Sequence, residues 1–191
     1  MPARRNSPRA GATIVLGVAG SIAAYKAAEL ASRLTKDGAA VFAIVTAAAE
    51  EFVRPLTFQT LTGHPVGTGL FTEASEWDPR HISLARRADL VVVAPATAHF
   101  IGKAACGLAD DLLSATVLAT RAPVLVAPAM NAGMYENPIV RENIARLRRR
   151  GWNFVGPAAG RLACGEEGMG RLAGLEDILA AIDSVLSSLK K

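Results

Sequence analysis

Asn131 is a polar residue placed where a ligand could reach it. It follows the apolar run of residues 123–127 (PVLVA), which ends at Pro128. A short apolar run bounded by turn formers predicts a buried strand, so Asn131 would lie where a strand gives way to a helix. Ligands bind at the carboxyl ends of strands in open α/β sheets. An amide there offers two donors and one acceptor, although the same residue could simply cap the following helix.

His81 is a candidate general base. It is predicted to lie in the first turn of a helix that begins after a proline-containing segment, residues 77–80 (WDPR). The positive end of the helix dipole favours the neutral imidazole, which is the form that accepts a proton. From its surroundings in the sequence alone, an exposed histidine without a chemical role is the simpler interpretation.

Cys164 is a candidate reactive thiol. It lies in a glycine-rich segment, residues 158–173 (AAGRLACGEEGMGRLA), that shows no apolar periodicity. Long irregular loops in compact domains are typically functional, so this segment is predicted to form a lid or clamp over a site. The other cysteine, Cys106, is predicted to be a small buried apolar residue of an amphipathic helix.

Residues 19–26 (AGSIAAYK) have the composition of an anion-binding turn. They follow a predicted first strand, residues 12–18, and open a helix predicted to run to about Lys36. Glycine permits close backbone approach, Ser21 is a favourable N-cap, and the exposed N–H groups favour a phosphate. The segment matches neither G-x-G-x-x-G nor G-x-x-x-x-G-K-[ST], so a dinucleotide or a P-loop nucleotide is not supported. A capped helix with nothing bound is the alternative.

Two further strand ends carry hydroxyl side chains. Thr46 follows a predicted second strand, residues 40–45, and could add its hydroxyl to the same phosphate site. Thr97 follows the apolar run of residues 90–94 (LVVVA) among small residues. Small side chains let a flat ligand lie against the backbone, and Thr97 can hydrogen-bond it.

The positions of these candidates depend on the alternation of strands and helices. Apolar runs at residues 12–18, 40–45, 90–94, 123–127 and 152–155 are separated by helical segments. This order predicts a single α/β domain with a doubly wound, mostly parallel sheet, a Rossmann- or flavodoxin-like three-layer sandwich. Residues 1–11, rich in Pro, Arg and Ser, are predicted to be a flexible extension, and residues 12–189 the folded domain.

Composition excludes several classes of protein. Of 191 residues, 51% are hydrophobic and 20% charged, which excludes disorder except at the ends. The net charge of +4 comes without interleaved aromatic residues, so no nucleic-acid partner is expected. Two cysteines do not form a disulfide framework, and no metal site is expected. No apolar segment is long enough to span a bilayer and none forms a signal peptide, so a cytoplasmic protein without a membrane partner is expected.

Five segments, in this order, resemble those of the homo-oligomeric flavin-containing cysteine decarboxylases. They are Gly20 to Lys26 (GSIAAYK), His81 before an aliphatic helix, Ala94 to Ala98 (APATA), Pro128 to Met134 (PAMNAGM), and Arg161 to Gly165 (RLACG). The resemblance covers about residues 13–182. The chain differs from the family at two places. Where the family often has Ala-Asn-Thr, this chain has Ala98, His99 and Phe100. Tyr135 lies where the family has a tryptophan-like residue.

The resemblance implies FMN as the cofactor. Its phosphate and ribityl end would be held by Gly20, Ser21, Ile22 and Thr46. The flavin would lie beside Thr97, Ala98 and Ala129. His81 would be the base, Asn131 would bind the substrate carboxylate, and Cys164 would donate a proton from the closing segment. Arg161 and Ala163 would contact the substrate from that same segment.

The reaction implied by the resemblance is decarboxylation of 4'-phosphopantothenoylcysteine to 4'-phosphopantetheine in coenzyme A biosynthesis. Oxidation of the cysteine CH2–SH group to a thioaldehyde creates an electron sink, CO2 leaves to give an enethiolate, and the hydride is returned. The family also implies a homo-oligomer, a trimer or a dodecamer, in which the neighbouring chain contributes the histidine. A separate phosphopantothenate–cysteine ligase is expected in the pathway.

Three alternative functions differ in what they require. An oxidative peptidyl-cysteine decarboxylase would stop at the enethiol, and Cys164 in an otherwise matching clamp favours the complete cycle. A flavin prenyltransferase would not need His81, Asn131 and Cys164 together. A flavoprotein that regulates a phosphatase would be expected to lose these catalytic residues or to gain acidic tails.

Overall fold

The computed structural model describes residues 7–71 and 80–189. Its centre is a five-stranded parallel sheet in the order β2-β1-β3-β4-β5. The strands are β1 (Thr13–Val18), β2 (Ala40–Val45), β3 (Leu90–Ala96), β4 (Val124–Pro128) and β5 (Asn153–Phe154). The aliphatic runs of β1, β2, β3 and β4 are largely buried, as a parallel sheet covered by helices requires, whereas the edge strand β5 is half-buried. This confirms the predicted fold class.

Helices cover both faces of the sheet. Leu16 and Leu125 pack on one face with α1 (Ala24–Lys36), α3 (Pro55–Thr62) and α9 (Leu175–Leu189). Val15 and Val126 pack on the opposite face with α4 (Arg80–Arg87), α5 (Ala98–Cys106), α6 (Leu112–Ala119) and α8 (Pro138–Arg149). Two short helices, α2 (Ala47–Glu50) and α7 (Ala132–Glu136), directly follow strand ends. The three layers therefore leave the carboxyl edge of the sheet as the place for a site.

The strand order reverses direction at β1, because β2 pairs on one side of it and β3 on the other. Ligands of doubly wound sheets bind at such a switch point. Backbone hydrogen bonds align the loops there: Ala19 N–H donates to Pro95 O at 3.1 Å, and Ala129 N–H to Ala96 O at 2.9 Å. The segments that begin at Ala19, Thr46, Thr97 and Ala129 consequently leave the sheet side by side.

Residues 158–173 are more regular than predicted. They form an antiparallel hairpin of β6 (Ala158–Arg161) and β7 (Glu167–Arg171), where the sequence predicted an irregular loop. Glycines alternate with exposed residues along β7, so neither face carries the apolar alternation that predicts a strand. This β6–β7 hairpin is held by its backbone ladder and by packing against the turn after β4.

The first six positions of the predicted flexible extension lie outside the described residues. Within its described part, Arg9 forms ion pairs with Asp37 at 2.7 Å and Asp183 at 2.8 Å. The boundary between extension and domain stays a prediction. Among the residues that the structure describes, no helix combines the length and apolarity needed to cross a membrane.

Candidate functional site

The turn after β1 approaches the turn after β2 so closely that it needs glycine. A Cβ on Gly20 would lie 2.8 Å from the carbonyl carbon of Ala48, so any side chain would force the two turns apart. Among the described residues, the backbone N–H groups of Gly20 and Ile22 have no hydrogen-bond partner. These free donors suit an anionic ligand group.

Ser21 does not cap α1, contrary to the sequence-based prediction. The helix begins at Ala24, and the cap position is occupied by Ala23 without a side-chain cap. The Ser21 hydroxyl instead accepts a hydrogen bond from Ala23 N–H at 3.2 Å, within the turn before the helix. The helix begins two residues later than a cap at Ser21 would require, and Ser21 lies at the cavity wall.

A cavity of about 510 Å³ opens at this edge of the sheet. It is lined by nine of the residues selected from the sequence: Gly20, Ser21, Ile22, Thr97, Ala129, Asn131, Arg161, Ala163 and Cys164. Met130, Met134 and Leu172 add apolar wall. The fold thus brings together residues that are up to 144 positions apart, from Gly20 to Cys164. We call this space the main cavity.

A second cavity of about 270 Å³ shares Gly20 and Thr97 with the main cavity. Thr46, Ala47 and Ala48 form part of its wall. The Thr46 hydroxyl donates to Val18 O at 3.2 Å and accepts from Ala49 N–H at 3.3 Å, which caps α2. Ala98 lines neither cavity and is the first residue of α5, immediately after Thr97. The two cavities together suit an elongated ligand that passes over Gly20 and Thr97.

The second cavity also contains an ion-pair cluster that the sequence analysis missed. The Lys103 ammonium, whose side chain is only 9% exposed, pairs with Asp110 and Asp111. Asp111 also caps α6, since Oδ1 accepts from Ser114 N–H at 2.8 Å. The sequence contains a signal that could have indicated this cluster. A lysine lies on a largely apolar helix, and an Asp-Asp pair follows at the start of the next helix.

The charges of this cluster stabilise one another. Burial, the largest influence on the Lys103 ammonium, lowers its pKa, but hydrogen bonds and charges of Asp110 and Asp111 outweigh it and raise the pKa overall. The hydrogen bond with Lys103 holds the pKa of Asp110 below its usual range. Burial raises the pKa of Asp111, but hydrogen bonds from Lys103 and Ser114 outweigh burial and lower it. All three groups are therefore charged at neutral pH, and the second cavity has a fixed polar wall.

Asn131 combines both roles that its position suggested. Its Oδ1 accepts a hydrogen bond from Gly133 N–H at 2.8 Å and caps α7. This contact fixes the orientation of the amide, so Nδ2 faces the β6–β7 hairpin. Nδ2 lies 3.5 Å from Cys164 Sγ and 3.3 Å from Glu166 Oε2, and Cys164 Sγ lies 3.5 Å from the same Glu166 oxygen. The amide, the thiol and a carboxylate thus meet at the mouth of the main cavity.

Two glycines on β7 let the hairpin pack directly on the turn after β4. A Cβ on Gly168 would lie 2.8 Å from Ala132 Cβ, and one on Gly170 would collide with the carbonyl oxygen of Met130. Met130 N–H donates to Gly170 O at 2.9 Å across the same contact. The position of Cys164 over Asn131 therefore depends on backbone-to-backbone packing.

His81 lines neither cavity. It lies on α4, which packs against α6 on one face of the sheet. Its Nδ1 atom is buried and has no hydrogen-bond partner within the described part of the chain. Residues 72–79, which directly precede α4 and include part of the proline-containing segment 77–80, lie outside the described residues. Within one chain, His81 is thus separate from the cluster of Asn131 and Cys164.

Cys106 is exposed, where the sequence predicted a buried side chain. It is the last residue of α5, and Gly107 ends the helix in a left-handed conformation. At that position the side chain projects beyond the packed face of the helix.

A family model described as Flavoprotein matches residues 2–187. The chain belongs to the flavoprotein family. Its relatives in that family include the coenzyme A biosynthesis bifunctional protein CoaBC of Vibrio parahaemolyticus, 53% identical over 163 residues, which is 85% of this chain and 41% of that protein. CoaBC of Bacillus subtilis is 50% identical over 166 residues, 87% of this chain and 41% of that protein. The chain spans about two fifths of the length of these curated relatives.

Solved structures of similar flavoproteins match nearly the whole chain. A PPC decarboxylase mutant complexed with pantothenoylaminoethenethiol has a TM-score of 0.80 at 33% identity, covering 90% of this chain and 96% of that chain. The FMN-dependent cysteine decarboxylase SpaF has a TM-score of 0.82 at 32% identity, covering 96% and 99%. The FMN binding protein AtHal3 has a TM-score of 0.79 at 32% identity, covering 93% and 97%.

Proposed function

We propose that this chain is an FMN-dependent phosphopantothenoylcysteine decarboxylase, which converts 4'-phosphopantothenoylcysteine to 4'-phosphopantetheine in coenzyme A biosynthesis. The observation that carries the proposal is the meeting of Asn131 and Cys164 across the mouth of the main cavity. An amide that can bind a carboxylate and a thiol that can donate a proton are two of the groups that this reaction needs beside a flavin. The likeness to a PPC decarboxylase over 96% of its chain supports the same assignment.

The two cavities fit FMN. Gly20 lies so close to Ala48 that a Cβ at this position would collide with it. The N–H groups of Gly20 and Ile22 are free and could bind a phosphate. We assign the phosphate and ribityl end to Gly20, Ser21, Ile22 and Thr46. We assign the flavin ring to the cavity surface made by Thr97 and Ala129, with Ala98 behind it at the start of α5. When bound, FMN would supply reversible hydride-transfer chemistry at the cysteine CH2–SH group of the substrate.

Asn131 and the hairpin would position the substrate. Asn131 Nδ2 would donate a hydrogen bond to the substrate carboxylate while Oδ1 stays on Gly133, so the amide is held in one orientation. Arg161 and Ala163 would contact the substrate from the hairpin, which forms one wall of the main cavity. Cys164 would then give its thiol proton to the carbon that has lost CO2, while the sulfur-bearing carbon regains its hydride.

His81 would act as the base from a neighbouring chain. Its placement on α4, outside both cavities, means that the described residues of one chain do not bring His81 to the site. We therefore propose a homo-oligomer, a trimer or a dodecamer, in which each site receives His81 from its neighbour. A phosphopantothenate–cysteine ligase would supply the substrate, and we propose that both act in the cytoplasm.

The oxidative peptidyl-cysteine decarboxylase and flavin prenyltransferase alternatives are less well supported. Relatives named for coenzyme A biosynthesis are about half identical to the chain, and Cys164 is placed at the cavity as the complete cycle requires.

The function is tested by CO2 release from 4'-phosphopantothenoylcysteine by the FMN-loaded protein. We expect Asn131→Ala to lower kcat/KM about a hundredfold, because the carboxylate loses its orienting donor. Asn137→Ala is the matched control, since Asn137 also caps a helix, accepting from Ile139 N–H at 2.9 Å, but lines neither cavity. Absence of CO2 release by the wild-type protein would contradict the proposed function.

The shared site is tested by mixing, in one oligomer, two variants that each form little 4'-phosphopantetheine, with formation of that product as the measured activity. We expect co-expressed His81→Asn and Asn131→Ala chains to recover a measurable fraction of wild-type activity, because some sites then combine an intact His81 with an intact Asn131. Cys164→Ser with Asn131→Ala is the control pair, since both residues line the cavity of one chain and no complete site can form. Recovery in neither pair would mean that His81 serves its own chain or has no role.

A further inference from the structure

Glu166 has no role in the proposed reaction, yet its side chain contacts two of the residues that do. Its Oε2 atom lies 3.3 Å from Asn131 Nδ2 and 3.5 Å from Cys164 Sγ. Building on the proposed function, we propose that Glu166 is a specificity-determining residue whose carboxylate occupies Asn131 until the substrate carboxylate displaces it. The site would thereby distinguish the substrate, which has a carboxylate, from the product, which has lost it.

Only the Nδ2 end of the Asn131 amide is available to a ligand. Its Oδ1 accepts from Gly133 N–H at 2.8 Å, so Nδ2 is the end left to bind a ligand. In the structure this end faces a carboxylate of the chain itself. A carboxylate of the substrate would bind the same N–H donors, because Glu166 and the substrate present the same chemical group.

The fold directs the Glu166 carboxylate to Asn131 Nδ2. Leu162 N–H donates to Glu166 O at 2.8 Å and Gly165 N–H to Leu162 O at 2.9 Å, which closes the turn between β6 and β7. The packing of Gly168 on Ala132 and the hydrogen bond between Gly170 and Met130 fix β7 against the turn that contains Asn131. The carboxylate therefore reaches an amide 35 positions away because the backbones are already docked.

The contact between Glu166 and Asn131 is easily exchanged for one with the substrate. Asn131, Cys164 and Glu166 are all exposed, and their contacts are long, so each is weak. Two carboxylates cannot share one donor closely, because like charges repel. A substrate held also by its other contacts would displace Glu166, and loss of CO2 would allow Glu166 to return to Asn131. Product release would then follow from the reaction itself.

The test compares two ligands that differ in the carboxylate. The probes are 4'-phosphopantothenoylserine, which keeps the carboxylate but lacks the oxidisable thiol, and 4'-phosphopantetheine, which lacks the carboxylate. Their Kd values are measured by calorimetry on the FMN-loaded wild type and on Glu166→Gln. We expect Glu166→Gln to tighten binding of the serine compound about threefold to fivefold and to leave binding of 4'-phosphopantetheine unchanged.

Two further variants separate a direct contact from a general charge effect. Glu166→Asp keeps the charge but shortens the reach, so we expect it to behave as Glu166→Gln does. Glu167→Gln removes a neighbouring exposed charge on β7 and should change neither Kd. Three results would overturn the role of Glu166. Glu166→Gln could tighten the binding of both ligands equally, Glu167→Gln could also tighten binding, or Glu166→Gln could weaken binding of the serine compound. If the wild type also releases no CO2 from 4'-phosphopantothenoylcysteine, the proposed function fails and this inference fails with it.

Discussion

Replacing Cys164 with serine is expected to change the product rather than abolish CO2 release. Asn131 and the cavity remain, so oxidation and loss of CO2 can proceed. A serine hydroxyl is a much weaker acid than a thiol and cannot readily supply the proton for the last step. We expect formation of 4'-phosphopantetheine to fall about a hundredfold to ten-thousandfold, with a product two hydrogens lighter in its place. Mass spectrometry of anaerobic reactions measures both species.

Cys106→Ser is the matched control for this substitution. Cys106 is the other cysteine of the chain and is also exposed, but it lines neither cavity. We expect this variant to form 4'-phosphopantetheine at the wild-type rate. Formation of the saturated product by Cys164→Ser at an unchanged rate would show that another group donates the proton.

Gly170→Ala is expected to lower kcat/KM by about a hundredfold or more while the chain still folds and binds FMN. Gly170 has a φ of 154°, which a side chain rarely adopts, and its Cβ would collide with the carbonyl oxygen of Met130. A backbone atom cannot move aside as a flexible side chain can, so the β6–β7 hairpin would lose its docked position. Cys164 would then no longer lie over Asn131.

Three measurements distinguish this effect from general instability: kcat/KM, the number of FMN molecules bound per chain, and the Tm. Gly102→Ala serves as the control, because its Cβ would meet nothing closer than Asn143 Nδ2 at 3.8 Å. Alanine is also the better helix former at that position on α5. Retention of full activity by Gly170→Ala would contradict the assignment of the hairpin as the element that positions Cys164.

The fold could be predicted from the sequence because its strands are continuous aliphatic runs. Residues such as Val91 and Val92 are buried on opposite faces of the same strand, and only a covered parallel sheet gives that pattern. The turns that follow these strands must meet at the carboxyl edge, so the convergence of Gly20, Thr97 and Asn131 on one cavity follows from the topology.

The features that could not be predicted depend on contacts between distant backbones. The β6–β7 hairpin has no apolar alternation, and its order comes from glycines that dock on Met130 and Ala132. The contact of Glu166 with Asn131 follows from that docking, as the sequence places them 35 positions apart. The resemblance to a family suggested roles for His81, Asn131 and Cys164, but those roles stay predictions until the variants above are measured.

The most direct measurement is the mass of the product that wild-type, FMN-loaded protein forms anaerobically from 4'-phosphopantothenoylcysteine. The proposed cycle predicts 4'-phosphopantetheine, formed over many turnovers per bound FMN, because the hydride taken from the substrate is returned to it. An enethiol formed once per site would contradict this and would indicate an oxidative decarboxylase. Unchanged substrate would contradict the decarboxylase assignment altogether.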